Sequence, residues 1–465
     1  MTRNVVLICL DSVRKDFFDR YASRLRNKAD IEVQQARAAS SWSVPSHASI
    51  FTGKLPSEAD IHTHNADFKK LSGSKTFLDD LPEHQSLGVS ANIWAGSKFN
   101  FDSIFDEFID VSQYRYFPEG LDFKSFSSSK DGLFKYIEFL KVALTHDHPL
   151  KSFLNGVIGR INARSAQYPL PKPFDDGGRL VSKYARSLVA RQNEPYFLFM
   201  NIMEAHLPHQ NMVQHDQSLH NVPSRWHSSR LDMKKINVED ESPNPEDINN
   251  FIDIYSASIE YLDRLIDSLI EELHNLSSKE TTVIITSDHG ENLYYPDDDF
   301  QLGHTGSLSD ALLHVPLCIV NPPKGVKKRS DKYLSHLELG EIITKLGNDN
   351  GAKMGQDHAP AELIGVGLDA WDLDQAERKY WDRMQRCVYT PQNKYVWDSL
   401  GNKAKFGLDE NKHMLRGSEQ SLSKIPDTIK QHFREDIQGY KEKFSSRGKE
   451  VNDATKRRLE DMGYL

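Results

Sequence analysis

Asn4–Leu10 reads N-V-V-L-I-C-L and is apolar on nearly every residue, with several β-branched side chains. Such a run suits a central parallel strand covered on both faces, because a strand with one wet face would alternate. Leu87–Asn92, Tyr196–Ile202, Thr281–Thr286 and Val315–Val320 read as further strands. Gly132–Leu144 and Asp175–Val189 read as helices. Phe251–Leu276 is the clearest helix: Ile252, Tyr255, Ile259, Leu262, Ile266, Leu269 and Leu273 fall at three- and four-residue steps. That stripe is core and is assigned no chemistry. Strands alternating with helices predict an α/β sandwich.

The remaining segments are less regular. Ala48–Phe51 reads as the first turn of a buried helix, and Asn100–Asp110 as a loop with aromatic anchors. Gln210–Asn249 is polar and reads as a surface excursion with solvated histidines. After about residue 350 the character changes. Arg386–Thr390, Lys394–Asp398 and Lys403–Leu408 read as three short strands, followed by helices near Thr428–Phe444 and Asp453–Met462. The expected division is a catalytic α/β domain over 1–349, with a polar insertion at about 210–249, and a C-terminal subdomain over 350–465.

Composition narrows the class. The chain has 465 residues, 38% hydrophobic and 27% charged, which fits a globular protein with a large core. A net charge of −9, from 58 basic and 67 acidic side chains, gives no footprint for nucleic-acid binding. Cys9, Cys318 and Cys387 form no C-x-x-C pair; Cys9 and Cys318 lie in apolar runs and read as small hydrophobes. The chain enters a strand at once, and no apolar run reaches about 18 residues. The expectation is a cytoplasmic chain with no membrane span.

The candidate chemistry sits at strand ends and at one helix start. Ser43, in S-S-W-S-V-P-S-H, stands just before a Pro-Ser-His corner, where backbone N–H groups favour negative charge. It reads either as a nucleophile or as a helix N-cap. Asp11 and Asp288 each follow a buried strand, and a carboxylate there must be paired, capped or metal-bound. His289 directly after Asp288 completes a compact oxygen and nitrogen set for one divalent ion: Asp11, Ser43, Asp288 and His289. Zn, Mn, Mg and Ca all fit the ligand types, and the single imidazole favours Zn or Mn. An ion there would stabilise the Ser43 alkoxide. His62 and His64 form an H-x-H that reads as exposed loop histidines.

Several segments resemble the sulfatase branch of the alkaline phosphatase superfamily. They are Asn4–Asp16, Trp42–Gly53, M-E-A-H-L-P-H at Met203–His209, Y-S-A-S-I-E-Y-L-D at Tyr255–Asp263, S-D-H-G-E at Ser287–Glu291, G-H-T-G-S-L at Gly303–Leu308, H-V-P-L at His314–Leu317, and the terminal L-E-D-M-G-Y-L. The resemblance implies an alkaline-phosphatase-like sandwich around a mostly parallel sheet, with a small C-terminal antiparallel sheet. By position it makes Asp11, Asp288 and His289 metal ligands and Ser43 the nucleophile. His206 matches a substrate-contacting histidine, and His304 a position that contacts the ester and protonates the leaving group. Asn92 and Lys98 lie where further oxyanion contacts are found, and His209 is a second substrate-contact candidate.

Two departures matter. Sulfatases read C-x-P-S-R around a formylglycine precursor, and here the last position is His47, which would orient Ser43 or contact the ester. Sulfatases also open with Asp-Asp, where this chain has Asp11-Ser12. The first points to an unmodified Ser43, and the second to a ligand set like that of the single-metal transferases. The expected function is metal-dependent hydrolysis of a small-molecule or glycan sulfate or phosphate ester. The alternative is a phospho-group transferase or phosphodiesterase acting on a glycan or lipid head group. A binding protein on a retired scaffold is the non-enzymatic reading.

Overall fold

The computed structural model describes all residues except 1, 74, 113–115, 118, 122–125, 127–131, 165–169, 194, 305, 329–331, 367–372 and 445–465. The helix expected at Asp453–Met462 and the terminal motif lie outside the described residues. Seven strands form the main sheet: β1 (Asn4–Leu10), β2 (Ile31–Glu32), β3 (Gln85–Ser90), β4 (Glu107–Asp110), β5 (Tyr196–Ile202), β6 (Thr281–Thr286) and β7 (Leu317–Val320). Their order is β2-β7-β6-β1-β5-β3-β4, and all but β7 run the same way. β1, β5 and β6 are buried at every residue, which is why their sequences do not alternate.

Side chains of β1 leave alternately to two layers. Val6, Ile8 and Leu10 enter a core built with α4 (Gly178–Val189) and α5 (Pro245–Leu276). Val5, Leu7 and Cys9 enter the other, built with α1 (Ser43–Thr52) and α6 (His336–Gly347). In that second layer Phe51 of α1 stacks on Phe77 and meets Phe101, Phe197 and Phe199 edge-on. Between β4 and α4 the chain forms a helical hairpin, α2 (Gly132–Leu144) and α3 (Pro149–Arg164). Among the described residues no helix is long and apolar enough to cross a membrane.

A second sheet is antiparallel: β8 (Ala359–Ile364), β9 (Met384–Tyr389), β10 (Asn393–Asp398), β11 (Lys403–Gly407) and β12 (Gln420–Ser421). The three expected strands are there, with two more outside them. β8 was hidden by Pro360, which an edge strand tolerates because its N–H has no ladder partner to lose. This sheet is tied to the start of α1: Ser40 Oγ donates to the Glu362 carbonyl at 2.7 Å, and the Glu362 N–H donates to the Ala39 carbonyl at 2.9 Å.

Other expectations are corrected. Asn100–Asp110 is not all loop, because its end is strand β4. The helix expected at Thr428–Phe444 is two pieces, Asp427–Lys430 and Ile437–Phe444. Between them buried Arg386 takes the Glu435 carbonyl at 2.6 Å, so that group is withdrawn from a helix ladder. Gln210–Asn249 is not merely a surface excursion: Met212, Trp226, Leu231 and Ile236 are core, and His215 and His220 are buried rather than solvated. Hydrogen bonds such as Trp226 Nε1 to Asp247 at 2.7 Å hold it in place without any periodic pattern.

Phe51→Ala should remove about 3–5 kcal/mol of stability, the usual cost of deleting a fully packed aromatic ring, read from urea denaturation. Phe51→Leu should lose clearly less.

Candidate active site

Strand register assembles the site. β1 pairs β6 with Cys9 opposite Thr286, so Asp11 and Asp288 each lie two residues beyond a paired position. β5 sets Asn201 opposite both Cys9 of β1 and Ser90 of β3, and Asn92 lies two residues past Ser90. Ligands of open parallel sheets gather at this end of the strands.

Ser43 comes from α1, which begins at Ser43 itself and not near Ala48. Trp42 is the extended N-cap residue, with no side-chain cap bond. Pro45 fits the first turn, where its missing N–H costs nothing. Ser43 is therefore not the cap. Its Oγ lies 3.4 Å from Asp11 Oδ2 and 3.5 Å from His289 Nε2, and accepts from Asn92 Nδ2 at 2.9 Å. The Asn92 amide orientation is fixed, because its Oδ1 accepts the Trp94 N–H at 2.7 Å. The same Nδ2 donates to Asp11 Oδ2 at 2.6 Å.

Asp11, Ser43, Asp288 and His289 are all fully buried. His289 Nδ1 donates to the Gly290 carbonyl at 2.8 Å, which leaves the Nε2 lone pair facing Asp288 Oδ2 at 3.5 Å and Asp11 Oδ1 at 3.8 Å. Asp288 Oδ2 is buried without a hydrogen-bond partner. Burial alone would raise the Asp288 carboxyl, but the facing His289 and His47 hold it below its ordinary value. For His289 burial acts downward, and Asp288 and Asp11 outweigh it and raise the imidazole. Gly290 lets the loop close over the site, since a Cβ there would sit 1.9 Å from the Ala311 carbonyl oxygen.

These donors fit a divalent cation. One donor atom from each of Asp11, Asp288 and His289 lies within 4.8 Å of the others. The 3.4–3.5 Å separations of Ser43 Oγ from Asp11 and His289 match the roughly 3.4 Å edge of a tetrahedron of ligands around a zinc-sized ion. Cys9, His47 and Asp288 form a second compact set. There His47 Nδ1 donates to the Ser43 carbonyl at 2.7 Å and its Nε2 receives Asn201 Nδ2 at 3.2 Å, so both ring nitrogens are committed. The Asp11, Asp288 and His289 set has the free lone pair and is the better cradle.

His47 thus lies behind Ser43, between the rings of Phe101 and Phe199, and holds the Ser43 backbone. His304 stands beside His289, with ring centroids 4.6 Å apart, and His206 is 5.0 Å from His304. His304 Nδ1 is 3.3 Å from both Glu291 carboxyl oxygens. Burial, and then His289, push His304 down to about 3, while burial lifts Glu291 to about 8. His206 is lowered chiefly by burial.

Not every expected residue joins the cluster. His209 packs against Phe251 and Tyr255 of α5, and burial pushes it down to about 3. Lys98 is exposed on a 3-10 turn and makes none of these bonds. His62 and His64 are not exposed loop residues: His62 is buried, and His64 Nε2 lies 2.9 Å from Asp382 Oδ1 of the C-terminal region. Three contributors were missed. Asn201 donates to Asp11 Oδ2 at 3.4 Å and to His47, and its signal was a lone amide near the end of an apolar strand. Glu291 follows Asp288-His289-Gly290 directly. Tyr255, taken as plain core, donates its hydroxyl to the Ser12 carbonyl at 2.7 Å and accepts the Arg14 N–H at 2.9 Å. It braces the turn in which Ser12 adopts a left-handed φ of 62°.

The comparisons bear on the family and the fold. The Sulfatase family model matches residues 3–348. A 2-O GAG sulfatase shares the fold with a TM-score of 0.58 at 12% identity, over 90% of this chain and 88% of its own. The phosphonate monoester hydrolase of Silicibacter pomeroyi gives 0.56 at 15% identity, over 89% and 90%. That of Agrobacterium radiobacter gives 0.57 at 14% identity, over 88% and 90%. At such identities the likeness establishes an alkaline-phosphatase-like fold. No curated protein matches by sequence. Motif order, fold and the match over most of the length together place the chain in the sulfatase family.

Proposed function

We propose that the protein hydrolyses a sulfate or phosphate ester, with Ser43 as an unmodified nucleophile. The observation that carries this reading is the Ser43 oxygen lying between Asp11, His289 and the Asn92 amide, next to an unpartnered buried carboxylate oxygen of Asp288. Asp11, Ser43, Asp288 and His289 would hold one divalent ion. Such an ion lowers the pKa of a bound hydroxyl and offsets charge on the ester oxygens.

The residues divide the remaining work. Ser43 stands at the first turn of α1, where helix N–H groups favour the negative charge that develops on the attacked group. Asn92 Nδ2 gives its two N–H groups to the Ser43 oxygen and to Asp11 Oδ2 and so steadies the attacking oxygen. His304, backed by Glu291, and His206 beside it are the proton carriers next to His289. With His304 kept neutral by burial and Glu291 protonated up to about 8, Glu291 would supply the leaving oxygen's proton through His304 and take it back from the attacking water to release Ser43. His47 acts through the Ser43 carbonyl and orients the nucleophile. Transfer of the same covalent ester to an alcohol instead of water is the neighbouring reading, and it differs only in the acceptor.

Ser43→Ala should lower turnover of aryl sulfate, phosphate or phosphonate esters by at least about 10³-fold. The parent Ser43 peptide should show an unmodified serine by mass spectrometry, and an aldehyde there would overturn the unmodified-serine reading. Free sulfate or phosphate, assayed against a transferred product, separates hydrolysis from transfer.

Asn92→Ala should cost about 10²–10³-fold in kcat with a smaller change in KM, as for loss of one preorganised donor. Asp288→Asn should sharply reduce bound metal measured by elemental analysis. A parent protein that purifies metal-free and gains no activity with Zn, Mn, Mg or Ca would sink the metal assignment.

A further inference from the structure

The α2–α3 hairpin is poorly covered. Nine of the seventeen large hydrophobic side chains exposed among the described residues lie on these two helices. Phe134 is 65% exposed, and Leu144 and Leu150, on either side of the hairpin tip, are 76% and 71% exposed. Ile137, Phe153 and Ile161 continue the surface along both helices. The two helices bury little between them: Phe139 packs onto Gly156, where a Cβ would come within 2.5 Å of the ring, and Ser152 and Asn155 bond the preceding loop. Apolar area this concentrated on a water-facing hairpin marks an interaction surface.

Charge identifies the partner. Residues 132–164 hold five Lys and Arg against two Asp and Glu, a local balance of +3 in a chain of −9. Lys141 is exposed beside the apolar side chains, and the Arg160 guanidinium lies 4.4 Å from the Tyr136 ring centroid. Two copies meeting through this face would bring like charges together. An anionic surface that also accepts apolar side chains suits it better. Position agrees: Asn155 of α3 bonds Phe117, which follows the C-terminal end of β4, the sheet end at which Asp11, Asn92 and Asp288 gather.

We infer that the α2–α3 hairpin lies in the interface of an anionic lipid bilayer, with its apolar side chains among the acyl chains and its basic ones at the head groups. This would hold the catalytic end of the sheet towards the membrane. The inference goes beyond the ester chemistry and does not rest on it.

Flotation of the full chain with vesicles of equimolar phosphatidylcholine and phosphatidylglycerol tests it. The chain should float with these vesicles at low salt, less at high salt, and far less with phosphatidylcholine alone. Phe134→Glu combined with Leu150→Glu should weaken partitioning by at least about tenfold. The melting temperature and hydrolysis of a soluble aryl ester should not change, since both side chains are exposed. A parent chain that stays unbound at low salt, or a double variant that floats equally well, would overturn the inference. A dimer in sedimentation velocity that Leu144→Glu dissociates, without flotation, would assign the face to a second copy instead. Flotation needs no catalysis and aryl-ester hydrolysis needs no membrane, so the two conclusions fail separately.

Discussion

Two fully buried carboxylates, Asp11 and Asp288, share one pocket with an imidazole and a serine hydroxyl. Removing two like charges from water is costly unless opposite charge or hydrogen bonds compensate. Asp11 receives the amides of Asn92 and Asn201 and the Ser12 hydroxyl. Asp288 receives backbone N–H groups of Ser12 and His289 on one oxygen only. The unmet demand is concentrated on the side facing Ser43 and His289. The folded chain therefore spends part of its stability on holding an anionic cradle, and a dication is the ligand that returns most of that cost.

The sheet makes this arrangement affordable. Parallel strands in register deliver Asp11, Asn92 and Asp288 to one line, and the continuous burial of β1, β5 and β6 keeps that line rigid. Three further devices hold the loops beyond the strand ends. Tyr255 of α5 bridges Ser12 and Arg14, the missing side chain of Gly290 admits the Ala311 carbonyl, and β8 anchors the entry to α1 through Ser40. Chemistry at the sheet end thus depends on helices from one layer and a strand from the second sheet.

Legibility in the sequence followed the same division. Runs of apolar residues revealed Asn4–Leu10, Tyr196–Ile202 and Thr281–Thr286 to the residue, because burial on both faces is a local property of composition. The residues just past those runs, Asp11 and Asp288-His289, were equally readable as polar groups where polar groups are expensive. Other contributions depend on three-dimensional placement and leave faint traces. Tyr255 sits on a helical stripe like any core residue, and only its hydroxyl contacts reveal a task. Asn201 is one amide in an apolar strand, β4 is short, and β8 carries a proline. His62, His64, His215 and His220 looked solvated because nothing local shows which distant segment will cover a loop.

His47 illustrates how a single position reshapes such a site. An arginine there would bring a permanent charge into the pocket behind the nucleophile and could offset part of the Asp288 charge. A histidine with Nδ1 given to the Ser43 carbonyl and Nε2 occupied by Asn201 is a strut with both ring nitrogens engaged instead. Arg14 does not take over the role, since its guanidinium is committed to Asp16, Asp298 and the Glu291 carbonyl. Lys98 is exposed and outside the cluster. The pocket then has no fixed cation of its own among the described residues that contact Ser43, Asp11 or Asp288. On the proposed reading, recognition of an anionic ester at Ser43 would fall to histidines, the helix start and an ion held by the two aspartates. The residues that would hold the ion, more than any basic side chain, would then control both binding and attack.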